Sequence, residues 1–212
     1  MKFTQKPERL TDQKSELRSK MKTFLKQLEA NPLLKQEKDA KIFAQLAILL
    51  QEISPPPDSC FGVYFPMKQE IPIDSFLKKH SPLNSLAYPR ANGMKTGPFM
   101  DFYLNMSGEK FILTKEFGPK ILCPPFKATL VIPDIIFVPA LAFDSFSNRL
   151  GMGRGYYDAY ISTCISRKDR TKLPIFIGIC YQEQFFEKIP TEGHDFWVDY
   201  VVSENFRNNY QG

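Results

Sequence analysis

Ile135-Ile136-Phe137-Val138 and, eleven residues on, Arg149-Leu150-Gly151-Met152-Gly153-Arg154-Gly155-Tyr156-Tyr157-Asp158 decide how this chain folds. The first run is apolar without interruption and of strand length, the pattern of a strand buried on both faces. The second passes through three alternating glycines into Tyr157, Tyr160, Ile161 and Cys164, whose spacing predicts a helix over 156–165. Strand, glycine turn and helix in that order belong to an α/β sheet, where ligands bind beyond the carboxyl ends of the strands.

Alternating glycine lets several backbone N–H groups converge on one concavity, which suits an anion. Arg149 and Arg154 beside it point to phosphate, and Asp158 just beyond it points to a metal carried by that phosphate. A bare glycine alternation recurs by chance in surface turns, so the flanking charges are what favour a nucleotide-phosphate loop. It matches neither common phosphate motif. No lysine followed by Ser or Thr comes after the last glycine, and the glycines do not open the first turn of a βαβ unit.

Outward from this stretch, further apolar runs predict strands at 60–65, 85–88, 175–180 and 197–202. Short strands are predicted at 100–104 and 110–114, joined at Ser107-Gly108, and 120–131 is broken by proline. Thr11 or Asp12 can cap a first helix whose apolar stripe is Leu17, Met21, Phe24, Leu25 and Leu28. A second helix is expected over 38–51, stopped by Pro55-Pro56-Pro57, and a third over 73–79. The expectation is an α/β fold in three layers, αβα: a mainly parallel central sheet with helices on both faces. Residues 1–10 read as an extension and 11–212 as one domain.

The chain of 212 residues is 43% hydrophobic and 14% aromatic, enough for a real core. A net charge of +5 suits an anionic small molecule and does not by itself require nucleic acid. Basic residues are interspersed with acids rather than gathered on one face, which argues against a nucleic-acid-binding module. Charged residues interrupt every apolar stretch, so no membrane span is expected, and the first six residues carry no apolar secretion signal. Cys60, Cys123, Cys164 and Cys180 are widely spaced; Cys60 and Cys180 read as small core residues in a reducing compartment, the cytoplasm. His80 and His194 have no partner at zinc-ligand spacing.

Other candidates are weaker alone. Lys14 and Arg18 lie four apart on the edge of the first helix's apolar stripe, where a solvated edge is the commoner outcome and a phosphate contact the sharper one. Glu70 follows a strand and an aromatic pair, Tyr64 and Phe65. There a carboxylate can take the N–H groups of a heterocycle on which Phe65 stacks. His194-Asp195 usually marks a turn, but Asp195 can join Asp158 around magnesium.

Taken together, these residues resemble the 5-formyltetrahydrofolate cyclo-ligase (methenyltetrahydrofolate synthetase) family over about 14–204. Val138-Pro139-Ala140-Leu141-Ala142-Phe143-Asp144, followed by Arg149-Leu150-Gly151-x-Gly153-x-Gly155-Tyr156-Tyr157-Asp158, is similar to its signature. Lys14-x-x-Leu17-Arg18 resembles its N-terminal ATP element, and Phe65-Pro66, Glu70 and Phe117 its folate pocket. Gly178 through Gln184, Pro190, His194-Asp195 and Asp199 to Glu204 resembles its C-terminal pattern. Arg154 departs from the glycine that many bacterial members carry.

The resemblance implies an ATP- and magnesium-dependent ligase forming a C–N bond. It would convert 5-formyltetrahydrofolate, with one or several glutamates, to 5,10-methenyltetrahydrofolate, ADP and phosphate. Implied for ATP are Lys14, Arg18 and Arg149 to Tyr157, that is Arg149, Leu150, Gly151, Met152, Gly153, Arg154, Gly155, Tyr156 and Tyr157. Implied for substrate are Phe65, Glu70, Phe117 and Tyr156; for catalysis Arg149, Arg154 and Tyr156; and for Mg2+ Asp158 and Asp195. A soluble monomer without nucleic-acid or membrane partners is expected. The rival readings are a sugar-phosphate isomerase of similar architecture, which would need a proton-abstracting group and no ATP, and a family member that binds folate or nucleotide without turnover.

Overall fold

The computed structural model describes residues 9–81, 85–91, 99–105, 111–114, 121–166, 173–193 and 195–209. The helices are α1 (Leu10–Glu29), α2 (Pro32–Ile53), α3 (Ile73–His80) and α4 (Tyr156–Ser166). The strands are β1 (Cys60–Gly62), β2 (Ser85–Ala91), β3 (Met100–Leu104), β4 (Ile112–Thr114), β5 (Ile121–Cys123), β6 (Leu130–Val131) and β7 (Ile135–Val138). They continue as β8 (Ala142–Asp144), β9 (Arg149–Leu150), β10 (Ile175–Ile179), β11 (Phe185–Phe186), β12 (Tyr200–Val202) and β13 (Arg207–Asn209).

The main sheet has eight strands in the order β13-β12-β10-β7-β1-β2-β3-β6. The pairs β12·β10, β10·β7, β7·β1 and β1·β2 are parallel, and antiparallel strands close both edges. Strand β7 shows why helices cover both faces. Its residues alternate with the two-residue strand period: Ile135 and Phe137 join one core cluster, Ile136 and Val138 the other. The first cluster packs Met21, Leu25 and Leu28 of α1, Ile42 and Leu46 of α2, and Phe76 and Leu77 of α3. The second packs Tyr160, Ile161 and Cys164 of α4. The expected αβα layering is what the chain adopts.

Several boundaries differ from the sequence reading. Helix α1 starts at Leu10 with Arg9 as N-cap and no side-chain cap, so neither Thr11 nor Asp12 caps it. Helix α2 begins six residues earlier than expected, because the Asn31 side chain accepts the Leu34 amide and Pro32 opens the first turn. It ends at Ile53, two residues past the expected 51, on a left-handed Ser54 immediately before the prolines expected to stop it. The strands at 100–104 and 112–114 exist but do not pair with each other: β3 joins β2 and β6, and β4 pairs with β5. The last parallel strand is only 200–202; Trp197 instead bridges Asn148. Cys60 is only partly buried, while Cys123, Cys164 and Cys180 are buried, and all four are free. Burial, and then Asp134, push the Cys60 thiol up to about 12, so it is a poor nucleophile.

The largest surprise lies between Val138 and the glycines. A second sheet, β11-β8-β9, intervenes there, and it delivers Arg149. Its knot is Asp144, fully buried, whose carboxylate accepts the amides of Phe146, Asn148 and Ile189 and the Asn148 side-chain amide.

Candidate active site

The glycine run leaves β9 at Leu150 and enters α4 at Tyr156. Each glycine has its own reason. Gly153 and Gly155 have φ of 93° and 70°, a region costly for residues with a Cβ. A Cβ on Gly151 would stand 3.1 Å from the Arg149 guanidinium, which lies close against the loop. The loop thus ends at the N-terminus of α4, where first-turn N–H groups lack intrahelical acceptors and the dipole favours an anion.

Three cations meet this loop or its surroundings. Arg149 is only 6% exposed and pairs with Asp158 one turn into α4. Its Nε is buried with no partner among the described residues. Arg18 reaches across from α1 and donates from Nε to the Gly151 carbonyl at 3.0 Å, its guanidinium next to Gly153. Lys14, one turn earlier, is 5% exposed and pairs with Glu192 at 2.8 Å and Asp195 at 2.6 Å. Burial would lower its pKa, but the hydrogen bonds and charges of these two carboxylates outweigh it and the ammonium is held charged. Lys14 is therefore no solvated helix edge. Arg154 is exposed and Tyr156 half-buried at the loop's end.

A crevice lies beside the loop, at the carboxyl ends of β1, β7 and β10. Tyr64 and Glu70 come from the segment after β1, Pro139 and Leu141 from that after β7, and Tyr181 from that after β10; Met152 of the loop also lines it. It holds about 20 Å3, room for little more than one water. The Glu70 carboxylate accepts the Met67 amide at 2.9 Å. Burial raises its pKa, and the Met67 bond opposes that rise. Phe65 stacks on Tyr88, ring centres 4.6 Å apart, and meets Phe111 edge-on. Phe117 and His194 lie outside the described residues.

Residues 10–204 match the sequence profile of the 5-formyltetrahydrofolate cyclo-ligase family. The chain belongs to that family. A 5-formyltetrahydrofolate cyclo-ligase of Mycoplasma genitalium is 30% identical over 192 residues, 89% of this chain and 96% of that protein. The mouse cyclo-ligase is 40% identical over 72 residues, a stretch of 34% of each chain. Among solved structures, a 5,10-methenyltetrahydrofolate synthetase of Aquifex aeolicus superposes with a TM-score of 0.71 at 26% identity. It covers 94% of this chain and 93% of that one. One from Mycoplasma pneumoniae, at 22% identity and a TM-score of 0.63, shares the fold over 91% of this chain and 99% of that one.

This member of the cyclo-ligase family carries supports that the sequence reading did not single out. The Gln184 amide donates to the carbonyls of Ala140 and Leu141 at 3.1 Å each and so fixes the backbone after β7. Asp39 accepts the Tyr181 hydroxyl at 2.7 Å and fixes a wall of the crevice. Glu192 shares Lys14 with Asp195. Only the turn-forming run Asp144 to Asn148, between Ala142-Phe143 and Arg149-Leu150, offered a local signal, for a hairpin. Asp158 and Asp195, the magnesium candidates, are both ion-paired, and no group of three or more His, Cys, Asp or Glu gathers among the described residues. Two oxygen donors on separate elements do not make a protein cage for Mg2+. They suit an ion that arrives on a triphosphate and keeps phosphate and water as its other ligands.

Proposed function

We propose that the protein converts 5-formyltetrahydrofolate to 5,10-methenyltetrahydrofolate at the expense of ATP. The observation that carries this reading is Arg149. It is a buried guanidinium with an unpartnered Nε, held against a glycine loop whose Met152 lines the same crevice as Glu70. Arg149 and Arg18 face the same loop from β9 and α1. The loop residues Leu150 to Tyr156 and Lys14 complete a phosphate site, and Glu70 and Phe65 serve the pterin.

The formyl oxygen is a poor leaving group because it belongs to an amide. In this reading it attacks the γ-phosphorus and ADP departs. The lone pair of N10 then attacks the formyl carbon, the N10 proton is released, and phosphate leaves with the former formyl oxygen. The methenyl bridge remains. Such a transfer needs alignment and positive charge rather than a side-chain nucleophile. Arg149, Arg18 and Lys14 supply the charge in a site where water competes little. Mg2+, held through Asp158 and Asp195, would neutralise phosphate charge. The same chemistry leaves the thiols idle, and three buried free cysteines suit a reducing cytoplasm. Among the described residues no helix is long and apolar enough to cross a membrane.

The test is near-ultraviolet absorbance of the protein with 5-formyltetrahydrofolate. A methenyl chromophore that grows only with both ATP and Mg2+ supports the reading. No growth in a folded protein that still binds ATP removes it.

A further inference from the structure

Helix α2 buries one stripe of its surface, with Ile42, Leu46 and Leu49 turned into the core. Asp39 stands one turn before Ile42 on that stripe and is itself only 8% exposed. An apolar side chain would pack there without losing hydration, whereas a carboxylate is desolvated and has to be paired. Two partners do so. Oδ2 accepts the Lys35 ammonium at 2.8 Å, one turn back in the same helix. Oδ1 accepts the Tyr181 hydroxyl at 2.7 Å, across 142 residues of sequence.

Tyr181 carries that contact to the crevice, which it lines together with Glu70; Asp39 does not line it. The tyrosine is held at both ends. Its backbone amide donates to Gln184 Oε1 at 3.0 Å, and the Gln184 amide in turn holds the carbonyls of Ala140 and Leu141. Its hydroxyl ends on Asp39, and the Phe24 ring of α1 meets its ring edge-on with centres 6.2 Å apart. Burial first, and then Asp39, raise the phenol's pKa, so the hydroxyl stays a donor. Without the carboxylate the ring keeps its backbone anchor and loses the one at its far end. In a crevice of about 20 Å3 a small tilt of one wall changes the shape of the whole. The phosphate side hangs on other ties: Lys14 on Glu192 and Asp195, Arg18 on the Gly151 carbonyl, Arg149 on Asp158.

We propose that Asp39 is a positioning residue for the folate site: from α2, outside the crevice, its carboxylate holds the Tyr181 ring as a wall against which the pterin seats. This rests on the cyclo-ligase reading above, which puts the pterin at Glu70.

Three variants and their double test it. Asp39→Ala is expected to raise the KM for 5-formyltetrahydrofolate about three- to tenfold, on the scale of one net hydrogen bond, with the KM for MgATP within about twofold. Tyr181→Phe keeps the ring and is expected to give the same split. Both remove one link, so Asp39→Ala with Tyr181→Phe is expected to do no more than either alone. Asp39→Asn leaves the phenol an acceptor and is expected to bring the folate KM back to within about twofold of the wild type. Equal rises in both KM values overturn the proposal. So does a lowered melting temperature with both KM values unchanged, since the contact then serves the fold alone. A double variant whose effects multiply, or an Asp39→Asn as impaired as Asp39→Ala, overturns it too. If Asp39→Ala does not fold, the other two singles decide: a split in Tyr181→Phe and none in Asp39→Asn supports the proposal, and any other pattern overturns it. A wild-type protein that makes no methenyl product overturns the cyclo-ligase reading and this one with it. Turnover by the wild type beside an unaffected Tyr181→Phe overturns only the role of Asp39.

Discussion

At Glu70 burial works against the charge that the crevice needs. Desolvation raises its folded pKa above the unfolded value, with the Met67 amide opposing. Between the two values the folded protein holds more protons than the unfolded chain, so stability falls as pH rises through that window. Glu70→Gln removes the penalty. The variant is expected to melt above the wild type at pH 7, with the gap closing towards pH 3.5, while its KM for the folate rises about 10- to 100-fold. Melting curves at both pH values and initial rates check this. At Arg149 the two roles coincide. Arg149→Ala is expected to lower kcat by about 10³ or more, on the scale of a lost phosphate-facing arginine. It also strands Asp158. Stranding a fully buried partner costs about 3–5 kcal/mol, and Asp158 is 29% exposed, so roughly 2 kcal/mol is expected. Adding Asp158→Ala is expected to restore part of the stability and none of the turnover, seen in denaturant melts beside rate measurements.

Among the elements, two glycines separate support from function. A Cβ on Gly178 of β10 would meet the Phe143 ring of β8 at 2.4 Å, where the two sheets touch. Gly178→Ala is expected to cost about 2–3 kcal/mol through overpacking, with KM for MgATP unchanged in the fraction that folds. Gly153 has space around it, its nearest neighbour being Arg18 at 3.6 Å, but a φ of 93°. Gly153→Ala is expected to cost about 1–2 kcal/mol in backbone strain. It is also expected to raise KM for MgATP about tenfold; a normal KM would separate the loop's shape from nucleotide binding. These elements also show what the sequence could tell. β7 was legible as an uninterrupted apolar run of strand length and α4 by its apolar spacing near 3.6, both local signals. Helix α2 was read short because its start depends on a cap at Asn31 rather than on apolar spacing. The β8–β9 hairpin was passed over because its strands have three and two residues, too few for periodicity. Glu192 and Gln184 were out of reach, since their partners are 178 and more than 40 residues away.

For the whole molecule, the site draws on both ends of the chain. Helix α1 brings Lys14 and Arg18, the middle brings Glu70 and the glycine loop, and the segment before β12 brings Glu192 and Asp195. Nucleotide binding is therefore expected to stabilise the entire fold: MgATP at about 100 times its Kd adds about 2.7 kcal/mol. In Lys14→Met, which breaks the tie between α1 and the C-terminal segment, the MgATP-induced shift in melting temperature is expected to shrink below about a third of the wild-type shift. A full shift would show that Lys14 serves the fold and not the ligand.

The Lys14–Asp195 contact spans 181 residues of sequence. On a ribosome the two ends are made far apart in time: at roughly 5–20 residues per second the helix waits on the order of 10–40 s for its partner. The glycine loop itself is made only about 40 residues before Asp195, so for most of that wait neither it nor the partner of Lys14 exists. If the proposed function holds, nucleotide capture comes last in this protein's synthesis, and only a chain finished past Asp195 is expected to compete for ATP.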